Sequence, residues 1–158
     1  MPTIKDAADS FLAADRIAVT GVSRSPKGEA GNGIYTRLRE RGFTVFAVNP
    51  HADTLEGDPA YPNLAAIPGG VNAVVIATRP EQAPATMREA IDLGVTQVWL
   101  HRGFGAGSVS QEAAELGRAA GITVISGGCP LMFGKASDGG HRLMCRWLTM
   151  TGKVPRQV

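Results

Sequence analysis

The residues with the clearest chemical potential form a glycine-rich turn after an early apolar run. The run Ile17–Thr20 predicts a buried parallel strand, and it ends at Gly21, where a strand can turn sharply. Apolar residues at helical spacing begin near position 34 and stop at Gly42, a typical helix-ending residue. The turn between them carries Ser23, Arg24, Ser25, Lys27, Gly28, Gly31 and Gly33. Small residues before a helix N-terminus favour the binding of a phosphate.

Small and polar residues also follow four further predicted strands, at 43–48, 71–78, 95–100 and 122–125. Predicted helices alternate with these strands, which indicates an α/β fold with a parallel sheet covered on both faces. In a doubly wound, Rossmann-like sheet the ligand lies at the carboxyl ends of the strands. The residues expected there are Gly21, Val22 and Ser23, then Asn49 and Pro50, Thr78, Arg79 and Pro80, His101, Arg102 and Gly103, and Gly128, Cys129 and Pro130.

We expect a single domain spanning residues 1–158, with five main strands in the sheet order 3-2-1-4-5. A short edge strand at 60–61 would make the order 3-2-1-4-5-6. A first helix is predicted at 3–14, and Ser108-x-x-Gln111 resembles a capping box for a helix to Ala120. A last amphipathic helix should bury Leu143, Trp147 and Leu148.

Composition narrows the class of protein. The chain has 158 residues, 44% of them hydrophobic and 19% charged, which is ordinary for a globular protein. A net charge of +2 is too small to favour nucleic acid or an anionic membrane as a partner. The chain start lacks a signal-peptide pattern, and no apolar run is long enough to span a bilayer. We therefore expect a cytoplasmic enzyme or binding protein.

The usual ligand of such a fold is NAD(P), but two features argue against it. Gly28, Gly31 and Gly33 fall as G-x-x-G-x-G rather than G-x-G-x-x-G. The second strand ends in Val48, Asn49, Pro50 and His51, without the acidic residue that binds a ribose 2′-hydroxyl. Basic residues near strand ends, Arg24, Lys27, Arg79 and Arg102, favour phosphates, although Arg79 and Arg102 could each equally be solvated surface charge.

Five segments in order resemble the small stand-alone coenzyme A-binding domain proteins, which are related to the CoA-binding domain of the succinyl-CoA synthetase α subunit. The segments are IAVTGVSRSPKGEAGNGIYTRL, FTVFAVNP with LEGDPAYPNLAAIP, VNAVVIATRPE, GVTQVWLHRG, and ISGGCPLM with HRLMCRW. The synthetase's second domain, which carries its phosphorylated histidine, has no counterpart here. The resemblance therefore implies a CoA site without the synthetase's catalytic machinery.

The resemblance also implies a role for each strand end. The turn of Gly21, Val22, Ser23, Arg24, Ser25 and Lys27 would hold the pyrophosphate, and Asn32 is also expected among the cofactor-binding residues. The adenosine would lie between Asn49, Pro50 and His51 on one side and Thr78, Arg79 and Pro80 on the other. The pantetheine arm would pass His101, Arg102 and Gly103 toward Cys129 and Pro130. Asn49 and Pro50 could also be a simple strand-ending turn.

Cys129 allows two interpretations. A thiolate there, favoured by His101 and Arg102, could form a mixed disulfide with CoA. Free cysteine is more often a small buried hydrophobe. His141 and Cys145 share a helical face, but two ligands are too few for a zinc site, and we expect no metal.

No catalytic constellation is recognisable in the sequence. The expected function is therefore the binding of CoA or a short acyl-CoA by a non-catalytic carrier, sensor or regulatory module, with an NAD(P)-dependent oxidoreductase or a thiol-redox protein as the alternatives. No protein partner can be named.

Overall fold

A computed structural model describes residues 2–25, 29–103 and 107–158. Its helices are α1 (Ile4–Leu12), α2 (Ala30–Glu40), α3 (Ala83–Asp92), α4 (Gln111–Ala119) and α5 (Gly139–Met150). Its strands are β1 (Ile17–Thr20), β2 (Val45–Val48), β3 (Thr54–Leu55), β4 (Asp58–Tyr61), β5 (Ala73–Ile76), β6 (Gln97–Leu100) and β7 (Thr123–Ser126). Short 3-10 helices occupy Pro80–Gln82, Pro130–Met132 and Gly134–Ala136. Among these residues, no helix is long and apolar enough to cross a membrane.

The strands form one sheet in the order β3-β4-β2-β1-β5-β6-β7. Every neighbouring pair is parallel except β3 and β4. The predicted α/β class and mostly parallel sheet are confirmed. The five-strand order 3-2-1-4-5 is wrong, because it placed the 71–78 strand at the edge beside β2. That place is taken by β4, and the chain crosses to the other side of β1, where Ile17 pairs with Ala73.

Counting the predicted short strand at 60–61, now β4, gives the observed order of those six strands. The seventh strand, β3, lies outside β4 and was not predicted. Glu56 and Gly57, with φ of 52° and 82°, turn the chain between β3 and β4. Two successive residues with positive φ are the geometry of a two-residue type I′ hairpin. A two-residue strand leaves too little alternation in the sequence to be recognised.

The central strands are buried on both faces, as their continuous apolar runs predicted. Ile17 and Val19 of β1 pack toward α1, α2 and α5, whereas Ala18 packs toward α3 and α4. On the first face, Phe11 meets Trp99 edge to face with ring centroids 5.3 Å apart. Close packing in the two cores holds the sheet in place. Loops and helix termini form its carboxyl edge.

Two helix predictions need correction. Ser110, not Ser108, caps α4 by accepting a hydrogen bond from the N–H of Ala113 at 3.2 Å. Ser108 is buried instead, and its hydroxyl donates to the carbonyl oxygen of Thr78. In α5, Leu148 is fully buried, but Leu143 and Trp147 are 70% and 52% exposed. The helix packs through the face of Met144 and Leu148, and Leu143 and Trp147, each one residue earlier, lie about 100° around the helix from that face.

Candidate functional site

A crevice of about 620 Å³ opens at the carboxyl edge of the sheet, over the ends of β2, β1 and β5. We call it the β1 crevice. Of the residues expected at the site, those that line it are Gly21, Val22, Ser23, Asn49, Pro50, His51 and Thr78. Sequence reasoning missed the rest of the lining, which comprises Thr20, Glu29, Val48, Pro62, Asn63, Leu64, Glu81, Gln82, Ala85, Thr86 and Glu89.

The floor of the β1 crevice depends on two glycines that allow close backbone contact. Gly21 has φ of 75°, and a Cβ there would lie 2.3 Å from the carbonyl oxygen of Ala77. A Cβ on Gly31, in the first turn of α2, would lie 2.4 Å from the carbonyl oxygen of Gly21. Real Cβ atoms are not found that close to backbone atoms, so both positions require glycine. The start of α2 therefore rests directly on the turn after β1.

Asn32 holds that turn from behind. Its side chain is buried, and its Oδ1 accepts the N–H of Ser23 at 2.8 Å. Its Nδ2 donates to the carbonyl oxygen of Ser23, also at 2.8 Å, and to Oε1 of Glu56 at 2.7 Å. Asn32 was expected among the ligand contacts, but it does not line the β1 crevice. The structure places its amide on the backbone of the turn.

The β3–β4 hairpin is bonded to α2 by a polar network. Arg39 donates to the carbonyl oxygen of Glu56 at 2.8 Å and to the carboxylate of Asp58 at 2.6 Å. The Tyr35 hydroxyl donates to the same carboxylate at 2.7 Å, and this bond, with the one from Arg39, lowers the pKa of Asp58. Burial is the main cause of the raised pKa of Tyr35. The hairpin thereby holds Glu56 against Asn32.

Asn49 shapes the opposite wall, at the end of β2. Its Nδ2 donates to the carbonyl oxygen of Val22 at 2.9 Å, and its Oδ1 accepts the N–H of His51 at 2.8 Å. The second bond is the Asx turn that favours asparagine before a bend. The side chain thus fastens the end of β2 to the turn after β1.

The charge of the β1 crevice differs from the expected basic rim. Among its described lining residues there is no arginine or lysine, whereas Glu29, Glu81 and Glu89 are present. Arg24 and Arg79 are exposed and lie outside the lining, as do Ser25 and Pro80. Lys27 lies outside the described residues. The N-terminus of α2 contributes partial positive charge at this edge, and Glu29, its N-cap residue, makes no side-chain capping bond.

One polar atom in the crevice lining lacks a partner. Within the part of the chain that the structure describes, the Thr78 Oγ1 is buried without a hydrogen bond. A buried hydroxyl without a partner is rare in folded proteins and costs about 1–3 kcal/mol. The atom is enclosed, so a ligand in the crevice could reach it only after the Thr78 side chain rotates.

A second cavity, of about 250 Å³, lies on the other side of the first turn of α2. We call it the α5 cavity. Two of the expected site residues, His101 and Cys129, line it. Its remaining lining residues are Ala30, Gly33, Ile34, Arg37, Leu131, His141 and Met144. His141, whose Nδ1 is 2.9 Å from Oδ1 of Asp138, belongs to α5, and no sequence motif had connected it to the ligand site.

Of the two interpretations of Cys129, the structure supports the small buried hydrophobe and contradicts the thiolate. Cys129 is 3% exposed, and burial raises the pKa of its thiol to about 12. His101 is 8% exposed, and burial lowers the pKa of its imidazole to about 4, so the ring is neutral near pH 7. A neutral imidazole cannot stabilise a thiolate by charge, and the cost of desolvation dominates. In the described ranges, no group of three or more His, Cys, Asp or Glu could hold a metal ion.

The loop after β6 folds back on the end of β7. The N–H of Arg102 donates to the carbonyl oxygen of Gly128 at 2.9 Å, and that of Ser108 to the carbonyl oxygen of His101 at 2.7 Å. Within the described ranges, the Arg102 Nε is buried without a hydrogen bond. Gly103 and Pro130 line neither cavity. The loop therefore fixes the backbone of His101 and Arg102 rather than presenting both side chains to the β1 crevice.

Comparison with known proteins identifies the fold family. The profile of the CoA binding domain matches residues 15–135. The chain belongs to this family of CoA-binding domains. The expected resemblance is thereby confirmed, and the matched residues include the whole lining of the β1 crevice but exclude α1 and α5.

Two curated relatives and one solved structure illustrate the similarity. The uncharacterized protein YneT of Bacillus subtilis is 29% identical over 114 residues, which cover 72% of this chain and 81% of YneT. An ADP-forming acetate–CoA ligase II of Archaeoglobus fulgidus is 34% identical over 95 residues, covering 59% of this chain but only 14% of the ligase. A hypothetical protein from Pyrococcus horikoshii OT3 has the same fold, with a TM-score of 0.73 at 24% identity over 83% of this chain and 92% of that protein.

Proposed function

We propose that residues 1–158 form one domain that binds CoA or a short acyl-CoA and acts as a non-catalytic carrier, sensor or regulatory module. The family to which the chain belongs supports CoA as the ligand. In this proposal the adenosine occupies the β1 crevice, between the Asn49 turn and Thr78. The crevice volume lies within the range of about 300–1,000 Å³ typical of small-molecule sites.

The observation that carries the proposal is the rigid turn after β1, in a chain of the CoA-binding family. Gly31 brings the start of α2 against that turn, and Asn32 fixes its backbone from behind. Backbone N–H groups at the start of a helix bind phosphate oxygens without any basic side chain. The pyrophosphate would therefore lie over Gly21 and Ser23, with its charge facing the N-terminus of α2.

Calorimetric titration with CoA, NADH and NADPH tests the choice of ligand. We expect saturable binding of CoA and much weaker binding of either nicotinamide cofactor. Tight binding of NADPH without binding of CoA would refute the proposal and support the oxidoreductase alternative.

The non-catalytic role needs a separate test. Incubation of the protein with acetyl-CoA should release free thiol no faster than buffer alone, measured with a thiol-reactive dye. Protein-dependent release of CoA would show that the domain is an enzyme and would refute the non-catalytic part of the proposal.

A further inference from the structure

The exposed apolar side chains of the protein are concentrated on one helix. Among the described residues, four large hydrophobic side chains are exposed, and three of them, Leu143, Trp147 and Met150, belong to α5. They are spaced four and three residues apart, so they form one row along the helix, which we call the α5 stripe. The fourth, Leu93, lies at the C-terminal end of α3. Single exposed apolar residues are ordinary, whereas a contiguous row is typical of an interaction surface.

Other side chains attach α5 to the domain. Leu148 is fully buried, and Met144 and Cys145 pack against the first core. The segment after the helix adds Val154, which is also buried. The family match ends at residue 135, so α5 lies outside the matched CoA-binding domain. Neither the packing of the core nor membership of the family therefore accounts for the α5 stripe.

A row of arginines runs beside the α5 stripe. Arg142 and Arg146 each precede a residue of the stripe by one position, so each lies about 100° around the helix from that residue. Both arginines are exposed, and within the described ranges neither forms an ion pair. The Nε of Arg142 donates to Oγ of Ser137 at 3.0 Å, which holds this guanidinium near the start of the helix.

The last part of the chain carries only positive charge. All acidic residues lie at or before Asp138, whereas residues 139–158 contain four basic residues. Asp138 itself caps α5, where its Oδ1 accepts the N–H of His141 at 2.8 Å. Arg41 of α2 adds a further positive charge near the start of α5, because its guanidinium donates to the carbonyl oxygen of Ser137 at 3.3 Å. Positive charge therefore predominates beside the α5 stripe.

Charge and size both argue against a second copy of this chain as the occupant of the α5 stripe. A two-fold antiparallel contact, stripe against stripe, would set the row of Arg142 and Arg146 against the same row of the other copy, and like charges repel. Stable homodimers bury roughly 800 Å² or more on each partner. One face of this 12-residue helix, about 18 Å long and about 10 Å wide, covers only on the order of 200 Å². That area fits a short segment of another protein.

We propose that the α5 stripe binds an acidic amphipathic segment of a partner protein. An apolar row of the segment packs on Leu143, Trp147 and Met150, and its carboxylates pair with the guanidinium groups of Arg142 and Arg146. The apolar contact removes water from the stripe, and the complementary charge orients the segment and excludes basic competitors. Arginine suits this role, because its planar guanidinium can bind a carboxylate through two parallel hydrogen bonds. The inference does not depend on the ligand of the β1 crevice.

Two synthetic helical peptides that differ only in charge provide the test. One presents a row of leucines beside a row of glutamates, and in the other each glutamate is replaced by lysine. In a titration followed by tryptophan fluorescence, the acidic peptide should bind at least about tenfold more tightly. It should shift the emission to shorter wavelength, because Trp147 is half-exposed whereas Trp99, the other tryptophan, is fully buried. No binding of the acidic peptide, or equal affinity for both peptides, would overturn the inference.

Variants of exposed residues identify the surface that binds. Arg142→Glu combined with Arg146→Glu should reverse the preference, so that the basic peptide binds more tightly. Leu143→Ser should weaken the acidic peptide at least about fivefold, and Leu93→Ser, which changes the exposed leucine of α3, should leave its affinity unchanged. An unchanged preference after charge reversal would refute the pairing with carboxylates. Equal effects of the two serine variants would refute the α5 stripe as the docking surface.

Self-association and lipid binding are measured with the same serine variants. Sedimentation velocity of the wild-type protein should show no dimer, and vesicles of phosphatidylserine and phosphatidylcholine should not retain the protein. A dimer, or binding to the vesicles, that is lost in Leu143→Ser but kept in Leu93→Ser would assign the α5 stripe to a second copy or to a membrane. Either result would overturn the inference.

Discussion

The β1 crevice and the α5 cavity lie on opposite sides of the first turn of α2 and are built in different ways. Backbone contacts form the floor of the crevice, where Gly21 and Gly31 leave no room for a Cβ. Side chains form the walls of the α5 cavity, and α5 itself lies outside the family match. A wall made of backbone cannot vary without moving the fold, whereas a wall made of side chains can. Substitutions on the crevice floor should therefore disturb the fold, whereas substitutions in the α5 cavity should be better tolerated.

The largest expected difference in stability is between substitutions at Gly31 and Gly33, two glycines of α2. Gly31→Ala would drive a methyl group against the Gly21 carbonyl oxygen, and we expect a loss on the order of 3 kcal/mol in the free energy of unfolding, with CoA binding abolished. At Gly33 a Cβ would meet no described atom within 4 Å, so Gly33→Ala should instead gain about 0.5–1 kcal/mol. Urea denaturation measures the free energy of unfolding of both variants. Equal values would contradict the close contact between Gly31 and the Gly21 carbonyl oxygen.

A negative charge placed in the β1 crevice should weaken CoA binding by a comparable free energy. Ser23 lines the crevice, and its backbone is held by Asn32. An aspartate there, about 4 Å from a phosphate, would meet repulsion of about 4 kcal/mol at the effective dielectric constant of a protein surface. Ser23→Asp should lower CoA affinity at least a hundredfold by calorimetry, and the neutral Ser23→Asn should lose far less. If the folded Asp variant keeps its affinity, the phosphates bind elsewhere.

On the cavity side, the buried His101 predicts a pH dependence of stability. Its pKa is lowered from 6.5 to about 4 in the folded protein, so the unfolded chain binds the extra proton between these values. Stability is therefore retained above about pH 6.5 and lost as pH falls toward 4, by a total on the order of 3 kcal/mol. Urea denaturation near pH 7 and near pH 4.5 should show a steeper loss for the wild type than for His101→Gln. Equal losses of stability in the wild type and in His101→Gln would mean that the His101 imidazole is exposed to solvent.

The smallest loss of CoA affinity should come from removing the Glu56 carboxylate, which accepts a hydrogen bond from Asn32 behind the turn after β1. Glu56→Ala removes the acceptor of Asn32 at 2.7 Å, while the bonds from Asn32 to Ser23 remain. One hydrogen bond of about 1 kcal/mol corresponds to a three- to tenfold loss of CoA affinity. Glu56→Gln keeps an oxygen acceptor and should bind CoA like the wild type. Equal affinities for Ala and Gln variants would show that the hairpin does not position the turn.

Local sequence patterns predicted one side of the site better than the other. The apolar run Ile17–Thr20 predicted β1, and turn chemistry predicted the end of the strand at Gly21 and the bend at Asn49. Gly21 and Asn49 both line the β1 crevice. The bond between Asn32 and Glu56 joins residues 24 positions apart, on a hairpin with no strong pattern. The orientation of α5 was also unpredictable, because apolar residues occupy both of its faces and only packing decides which face is buried.

A crystal structure of the protein with CoA tests most directly whether the β1 crevice is the ligand site. We predict the adenosine in the β1 crevice and the pyrophosphate over Gly21 and Ser23. Ordered CoA elsewhere on the surface, with its adenosine outside the β1 crevice, would contradict this account.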